Sequence, residues 1–394
     1  MGSGGSRRFI CVLLSILSLV CLSTGFTPVD NYLIDCGSLT NTTVGNRVFV
    51  ADNSASNFLS TPKNTFANTS ISVTSGVDSP LYQTARIFDA ISKYTFLINQ
   101  PGRHWIRLYF YPFVSGSYNM SSASFGVSTP NYAFLSNFSV KASVVKEFSV
   151  NVTSNNLVIT FTPSGNSFAF LNALEVVSVP DELITDDAET FNPALETVHR
   201  VNMGGPTVSF ENDTLGRTWV PDQSFLIQNN LAINVSNIAA VKYVVGGATQ
   251  DSAPNAVYVS RNLNELYFDV YVDSWLVAEN VDPSSIANAL AVAFYMDFVT
   301  AATVSNKLRV SIGPTNTISG AYPNAILNGL EIMKMNNSLG SLSGRSSCSF
   351  KFDFEEECWC DSGIEYWSTY PSSVGWSFLY VLQKEKKAGT PRPF

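Results

Sequence analysis

Charge is what this 394-residue chain has least of: 14% of its residues are Asp, Glu, Lys or Arg, against 45% hydrophobic. That balance excludes a self-repelling disordered chain and supplies the apolar material for sizeable cores. The small surplus is acidic, a net charge of -8. Without Lys/Arg clusters nothing can neutralise a phosphate backbone, so nucleic acid is excluded as a partner. Histidine is nearly absent, with only His104 and His199. A histidine-based zinc site would need Cys or carboxylates at matching spacing; no such motif occurs, and neither a metal nor a cofactor is expected. Catalytic motifs are missing as well. Gly340-Ser-Leu-Ser-Gly344 carries Leu where a nucleophile elbow carries Ser, and Gly246-Gly247 is a turn, not a phosphate cradle. Gly-x-Gly-x-x-Gly, His-Arg-Asp and Asp-Phe-Gly are all absent, so the parts needed for phosphoryl transfer are not here. A glycosidase needs two opposed carboxylates, which sequence alone cannot pair. The chain is read as a binder, not an enzyme.

Cysteine and long apolar runs are scarce too. Six cysteines are present, and two of them, Cys11 and Cys21, lie in the leader. The remaining Cys36, Cys348, Cys358 and Cys360 do not make a disulfide-dense scaffold. Trp376 to Leu382 is far too short to span a membrane. Phe9 to Leu22 is also short for a span, but it follows Arg7-Arg8 and precedes the small residues Ser23-Thr24-Gly25. Residues 1–25 therefore read as a secretion signal, with a short signal anchor as the competing reading. Asn-x-Ser/Thr sequons at Asn41, Asn68, Asn119, Asn137, Asn151, Asn212, Asn234 and Asn336 fit that compartment. They predict a glycosylated, secreted protein.

What the chain does contain is a repeat. Leu157-Val-Ile-Thr-Phe-Thr-Pro163 followed by Phe170-Leu-Asn-Ala-Leu-Glu-Val-Val177 recurs as Leu308-Arg-Val-Ser-Ile-Gly-Pro314 followed by Ala325-Ile-Leu-Asn-Gly-Leu-Glu-Ile332. Each copy is an alternating strand, a turn, and an Asn-(Ala/Gly)-Leu-Glu strand, so two similar domains are expected. Short runs rich in aromatic and β-branched residues, punctuated by Gly, Pro, Asn and Ser, predict an all-β fold of two tandem sandwiches. In His104-Trp-Ile-Arg-Leu-Tyr-Phe-Tyr111, alternation puts Trp105, Arg107 and Tyr109 on one face and Ile106, Leu108 and Phe110 on the other. Residues 26–180 form the first domain and 199–336 the second. The acidic stretch 181–198, flanked by Pro180 and containing Pro193, is a linker rather than a calcium loop. Residues 337–394 form an atypical tail. The second repeat lacks a counterpart of the Tyr94–Phe113 block: Ala256-Val-Tyr-Val-Ser260 runs straight into Arg261-Asn-Leu-Asn264. Losing that strand block would uncover a sheet edge.

The ordered motifs resemble one family. They are Asn31-Tyr-Leu-Ile-Asp-Cys-Gly-Ser38, His104-Trp-Ile-Arg-Leu-Tyr-Phe-Tyr-Pro112, Leu171-Asn-Ala-Leu-Glu175, Arg200-Val-Asn-Met-Gly-Gly205, Arg217-Thr-Trp-Val-Pro-Asp222, Leu263-Asn-Glu-Leu-Tyr-Phe-Asp-Val270 and Asn324-Ala-Ile-Leu-Asn-Gly-Leu-Glu331. Together they resemble the extracellular region of plant malectin-like receptor kinases, the FERONIA/THESEUS/HERKULES group. The resemblance implies tandem malectin-like, jelly-roll-like β-sandwiches facing the cell wall. It further implies partners: cell-wall carbohydrate or a basic RALF-type secreted peptide, a GPI-anchored co-receptor, or a full-length receptor of the same family. The family continues into a membrane helix and a kinase that this chain lacks, so a truncated form is expected. A soluble carbohydrate-binding lectin, or a non-functional gene product, are the alternatives.

Candidate contacts follow from side-chain chemistry. A sugar site needs aromatic faces beside hydrogen-bonding groups, which nominates Tyr82, Tyr111, Tyr118, Tyr132 and Phe134. The competing reading is ordinary core and rim aromatics. For a basic peptide, the strand face Glu265, Tyr267, Asp269, Tyr271 and Asp273 offers steering charge and contact area. Its competing reading is a solvated strand face. Arg217-Thr-Trp-Val-Pro-Asp222 reads as a structural turn with Trp219 buried and Asp222 accepting from backbone amides.

Overall fold

The computed structural model describes residues 26–53, 57–71, 76, 78–180, 183, 193–227, 232–234, 241–244, 247–258, 267–273, 275–283, 292–301, 307–315, 324–343, 349–354 and 378–384. The expected signal segment 1–25, the Ser260/Arg261 junction, Glu265 and the cysteines Cys348, Cys358 and Cys360 fall outside them.

The described elements are strands with three single 3-10 turns. The first half contains β1 (Asn31–Asp35), β2 (Thr42–Val44), β3 (Arg47–Ala51), β4 (Leu59–Ser60), β5 (Thr65–Asn68), β6 (Thr84–Phe88), β7 (Ser92–Leu97), β8 (Gly102–Phe110), β9 (Val114–Ser115), β10 (Tyr118–Asn119), β11 (Phe125–Ser128), β12 (Ala133–Phe138), β13 (Val144–Val152), β14 (Asn156–Pro163), β15 (Ala169–Leu171) and β16 (Ala173–Ser178). The second contains β17 (Leu195–Asn202), β18 (Val220–Pro221), β19 (Phe268–Val272), β20 (Trp275–Val281), β21 (Tyr295–Ala301), β22 (Lys307–Pro314) and β23 (Gly329–Met335), and the tail adds β24 (Ser349–Phe354) and β25 (Phe378–Lys384).

Each half is a sandwich. In the first, β1, β16, β8 and β13 lie side by side in one sheet, faced by β12-β11-β14-β7-β4. The apolar face of β8 (Ile106, Leu108, Phe110) enters the core between them with Phe125, Ile159, Phe161 and Leu174. Phe134 stacks flat on Phe148 there, ring centroids 4.4 Å apart. In the second half, Phe268, Val270, Leu308, Val310, Ile312, Leu330 and Ile332 form the equivalent core.

The repeat is visible in the register. Asp35 pairs with Ala173 in β1–β16, and Asn202 with Gly329 in β17–β23. The Cys36 amide donates to the Asn172 carbonyl at 2.8 Å, and the Met203 amide to the Asn328 carbonyl at 2.9 Å. Phe125 opposes Pro163 across β11–β14 just as Phe268 opposes Pro314 across β19–β22. The two halves are not beads on a string, however. β13 pairs antiparallel with β17, Phe148 opposite Glu196, so one sheet of eleven strands runs through both. That strand starts at Leu195, inside the stretch expected to be linker.

One tight corner shows why Asp35-Cys-Gly37 has its sequence. Gly37 has φ +81°, and a Cβ there would lie 2.4 Å from the Ala85 carbonyl oxygen. Only glycine meets both conditions cheaply. Its amide donates to Asp52 Oδ1 at 2.6 Å, and Asp52 is held by Arg86 (2.6 Å) and the Tyr94 hydroxyl (2.5 Å). Cys36 beside them is a buried free thiol, its pKa pushed up by burial.

Candidate functional site

Burial sorts the candidate aromatics. Phe134 is fully buried in the first core, so it is no sugar platform; strand alternation sends it inward. Tyr82 is buried as well, stacked on half-buried Tyr111 at 5.2 Å within a cluster that includes Phe49, Tyr109 and Phe210. Tyr132 is half-buried beside Gly340, where Ala133 bridges to Ser341 at the start of the tail. Tyr118 differs. Its hydroxyl lies 2.9 and 3.1 Å from the two carboxylate oxygens of Asp89, which also accepts from Lys63 at 3.0 Å. Its ring meets Phe168 edge-on at 5.1 Å. Aromatic, acid and amine thus converge at the surface.

The acidic strand face is not the solvated stripe that alternation suggests. Asp269 is buried, accepting from the Asn280 amide at 2.8 Å. A bulge between β19 and β20 turns it inward. Asp273 adopts φ +56° and accepts from the Arg309 amide at 2.9 Å. Tyr267, Tyr271 and Asp273 are half-buried. The strand is capped by hydrogen bonds, with little free carboxylate left to steer a cation.

Most of the organised polar chemistry lies between the halves. The outer face of β8 carries Trp105, Arg107 and Tyr109, and all three are buried. Trp105 packs with Leu215, Trp219 and Met333 of the second half. Arg107 reaches Glu147 on β13 at 2.6 Å and Glu175 on β16 at 3.0 Å, and it donates to the Leu215 carbonyl at 2.9 Å. Glu147 accepts from Arg200 of β17 at 2.7 Å, and Arg200 also pairs with Glu331 on β23. Arg47 closes the first-half end on Glu175. Arg217 closes the other on Asp213 at 2.8 Å, where the Trp219 indole donates at 3.0 Å. Arg107, Arg200 and Arg217 stand 5.0–5.6 Å from the Trp105 ring. Burial opposes charge on Glu147, but Arg200 and Arg107 outweigh it and hold its pKa far below the carboxylate range. Every cation has an anion here, so the cluster is a lock and not a ligand site. Trp219 is fully buried and Asp222 accepts from the Gly204 amide at 2.8 Å, so Arg217–Asp222 is the structural turn that its sequence suggested. Sequence reasoning missed the lock, because nothing local marks what covers the outer face of β8.

An open cleft of about 390 Å³ lies on the second half, lined by Thr207, Asn212, Thr214, Gln250 and Asn255 among others. It has amides and hydroxyls but no aromatic platform, and sequon Asn212 stands at its edge. Six sequon asparagines are exposed: Asn41, Asn68, Asn119, Asn137, Asn212 and Asn234. Asn151 and Asn336 are half-buried. Among the described residues no group of three or more His, Cys, Asp or Glu could hold a metal ion, and no helix is long and apolar enough to cross a membrane.

Two β-sandwiches joined through one continuous sheet and a buried ion-pair cluster define a tandem β-sandwich protein. The malectin-like domain matches residues 34–259, and the chain belongs to that family. The receptor-like protein kinase HERK 1 of Arabidopsis thaliana is 45% identical over 96% of this chain and 51% of its own length. THESEUS 1, from the same plant, is 38% identical over 86% of this chain and 46% of its own. The chain thus spans about half the length of these curated relatives, in their ectodomain portion. The crystal structure of the plant receptor-like kinase FER superposes with a TM-score of 0.68 at 26% identity, covering 81% of this chain and 100% of that one. A chain from the crystal structure of plant peptide RALF23 in complex with FER and LLG2 matches at 26% identity with a TM-score of 0.65, covering 82% of this chain and all of that one.

Proposed function

We propose that this chain is the extracellular ligand-binding region of a malectin-like receptor kinase, and that it takes a basic secreted peptide together with a small co-receptor. The observation that carries this is the match to the FER ectodomain fold seen with RALF23 and LLG2. The net charge of -8 favours encounter with a cationic peptide. The reading also places the protein outside the cell, glycosylated at its exposed sequons. Calorimetric titration of a RALF-class peptide, with and without an LLG-class co-receptor, tests it. Micromolar or tighter binding that weakens with salt is expected; no heat under either condition overturns it.

A second reading has its own observation. Half-buried Tyr118 and Phe168, with exposed Asp89 and Lys63, form a surface platform with donors and acceptors beside an aromatic ring. It supports binding of cell-wall carbohydrate. A glycan array probed with wild type and Tyr118→Ala tests this: signal lost in the variant supports it, and equal or no signal discards it.

A further inference from the structure

We infer that the tail donates two strands, β24 and β25, to an acceptor groove in the second sandwich, one in each sheet, at the positions that β7 and β8 hold in the first. The comparison of the two halves carries this. The first half runs β3-β1-β16-β8-β13 across its large sheet, and the second runs β18-β17-β23-β25-β21. β18 pairs parallel with β17 as β3 does with β1. β23 pairs antiparallel with β17 as β16 does with β1. The next place is filled by β8 in one half and by β25 in the other. In the facing sheets, β12-β11-β14-β7 corresponds to β20-β19-β22-β24. The last place is filled by β7 in one half and by β24 in the other.

Among the described residues, the second repeat supplies no strand of its own for these places. In the first half, β7 and β8 lie between Phe88 and Phe125. The corresponding stretch of the second, residues 259–267, is no longer than β8 alone, which has 9 residues. The donor sequences suit the two environments. β7 is alternately buried and exposed, and Ser349-Phe-Lys-Phe-Asp-Phe354 alternates polar with aromatic. β8 is buried on both faces, and Phe378-Leu-Tyr-Val-Leu382 is continuously apolar. Polarity is what differs. β7 and β8 are antiparallel to their neighbours, whereas β24 is parallel to β22 and β25 is parallel to both β23 and β21. The tail therefore enters from the opposite end, and either direction satisfies a backbone ladder. Without β25, β23 would be left with an open edge and β21, the last strand of the sheet, without its neighbour, the situation that strand donation resolves elsewhere.

Hydrogen exchange on the full chain tests this. Peptides covering β24 and β25 should be protected. Val381→Pro, which removes a central donor from β25, should speed exchange in β21 and β23 roughly tenfold or more while β1, β8 and β16 keep their rates. Tail peptides exchanging at unfolded-chain rates, or β21 and β23 unaffected by Val381→Pro, would overturn the inference. If that variant does not fold, register serves instead. Lys334 lies opposite Gln383, so Lys334→Cys/Gln383→Cys should cross-link under mild oxidation and Lys334→Cys/Phe378→Cys should not, as mapped by proteolysis. Equal yields, or none, refute it.

Discussion

Replacing Glu147 with alanine should be among the most damaging changes available in the chain. Among the described residues, the Glu147 side chain is the one anion in ion pairs with cations from both halves: Arg107 at 2.6 Å and Arg200 at 2.7 Å, with the Thr197 hydroxyl donating at 2.7 Å. Both arginines are buried, at 4% and 7% exposure, so water cannot replace the lost carboxylate. Removing one partner of a buried pair costs about 3–5 kcal/mol, because the remaining charge is stranded. Arg107 keeps Glu175 and Arg200 keeps Glu331, which argues for the lower part of that range. Glu147→Gln keeps an acceptor and should cost about 1.5–3 kcal/mol. Adding Arg200→Met to Glu147→Ala should cost at least about 1 kcal/mol less than the sum of the single changes, since the pair is coupled. Equilibrium urea unfolding followed by circular dichroism and tryptophan fluorescence reads all three; Trp105 and Trp219 report on the cluster directly. pH gives an independent check. The folded pKa is depressed, so the contribution is present above the unfolded value near ~4.3 and is lost as pH falls toward the folded one. Glu147→Ala should abolish that acid-side component. A Glu147→Ala protein within about 0.5 kcal/mol of wild type, where neutral surface changes fall, would refute the lock.

Other outcomes follow from single observations. Burial pushes the Asp35 carboxyl up to about 6, with Thr42 and Thr84 hydroxyls lowering it and nearby Asp52 raising it. A raised acid favours folding below its unfolded pKa and loses that contribution as pH rises through 6, so stability should increase by about 1 kcal/mol from pH 7.5 to 5. Asp35→Asn should flatten the slope in thermal melts. Phe134→Ala removes a ring stacked in the core and should cost about 3–5 kcal/mol by urea unfolding. Gly37→Ala, opposed by both φ and the Ala85 carbonyl, should lower the melting temperature by several degrees, an expected cost of roughly 1–2 kcal/mol or more. Asn336 spends its amide on Asn337 and its oxygen on Ala194. Glycopeptide mass spectrometry should therefore find Asn336 empty while exposed Asn41, Asn68 and Asn212 are occupied.

The fold was legible because periodicity and turns are local. The Asn-(Ala/Gly)-Leu-Glu repeat located β16 and β23, and the alternation of Trp105 to Phe110 assigned the correct residues to the inner face of β8. Binding residues were harder, since alternation tells which residues share a face but not what lies against it. Phe134 has the same ring whether it meets a sugar or Phe148. Asp269 follows the outward parity of its strand, yet the bulge in β19–β20 buries it. The Arg107–Glu147–Arg200 cluster left no local mark, because it forms only where β17 comes alongside β13, a contact made by residues distant in the chain.

The scarcity of charge gives that contact its meaning. A chain with only 14% charged residues could have joined its halves through apolar packing alone, and Trp105, Leu215, Trp219 and Met333 already supply such a surface. Apolar packing is non-directional and tolerates sliding. Charged hydrogen bonds fix distance and angle together. Placing Arg107, Glu147, Arg200 and Glu331 on four adjoining strands ties the outer face of the first sandwich to the inner framework of the second, at a desolvation cost that only good geometry offsets. The two sandwiches are then held at one fixed separation. If the proposed peptide and co-receptor bind together, the ordering cost of the two halves has been met before either arrives.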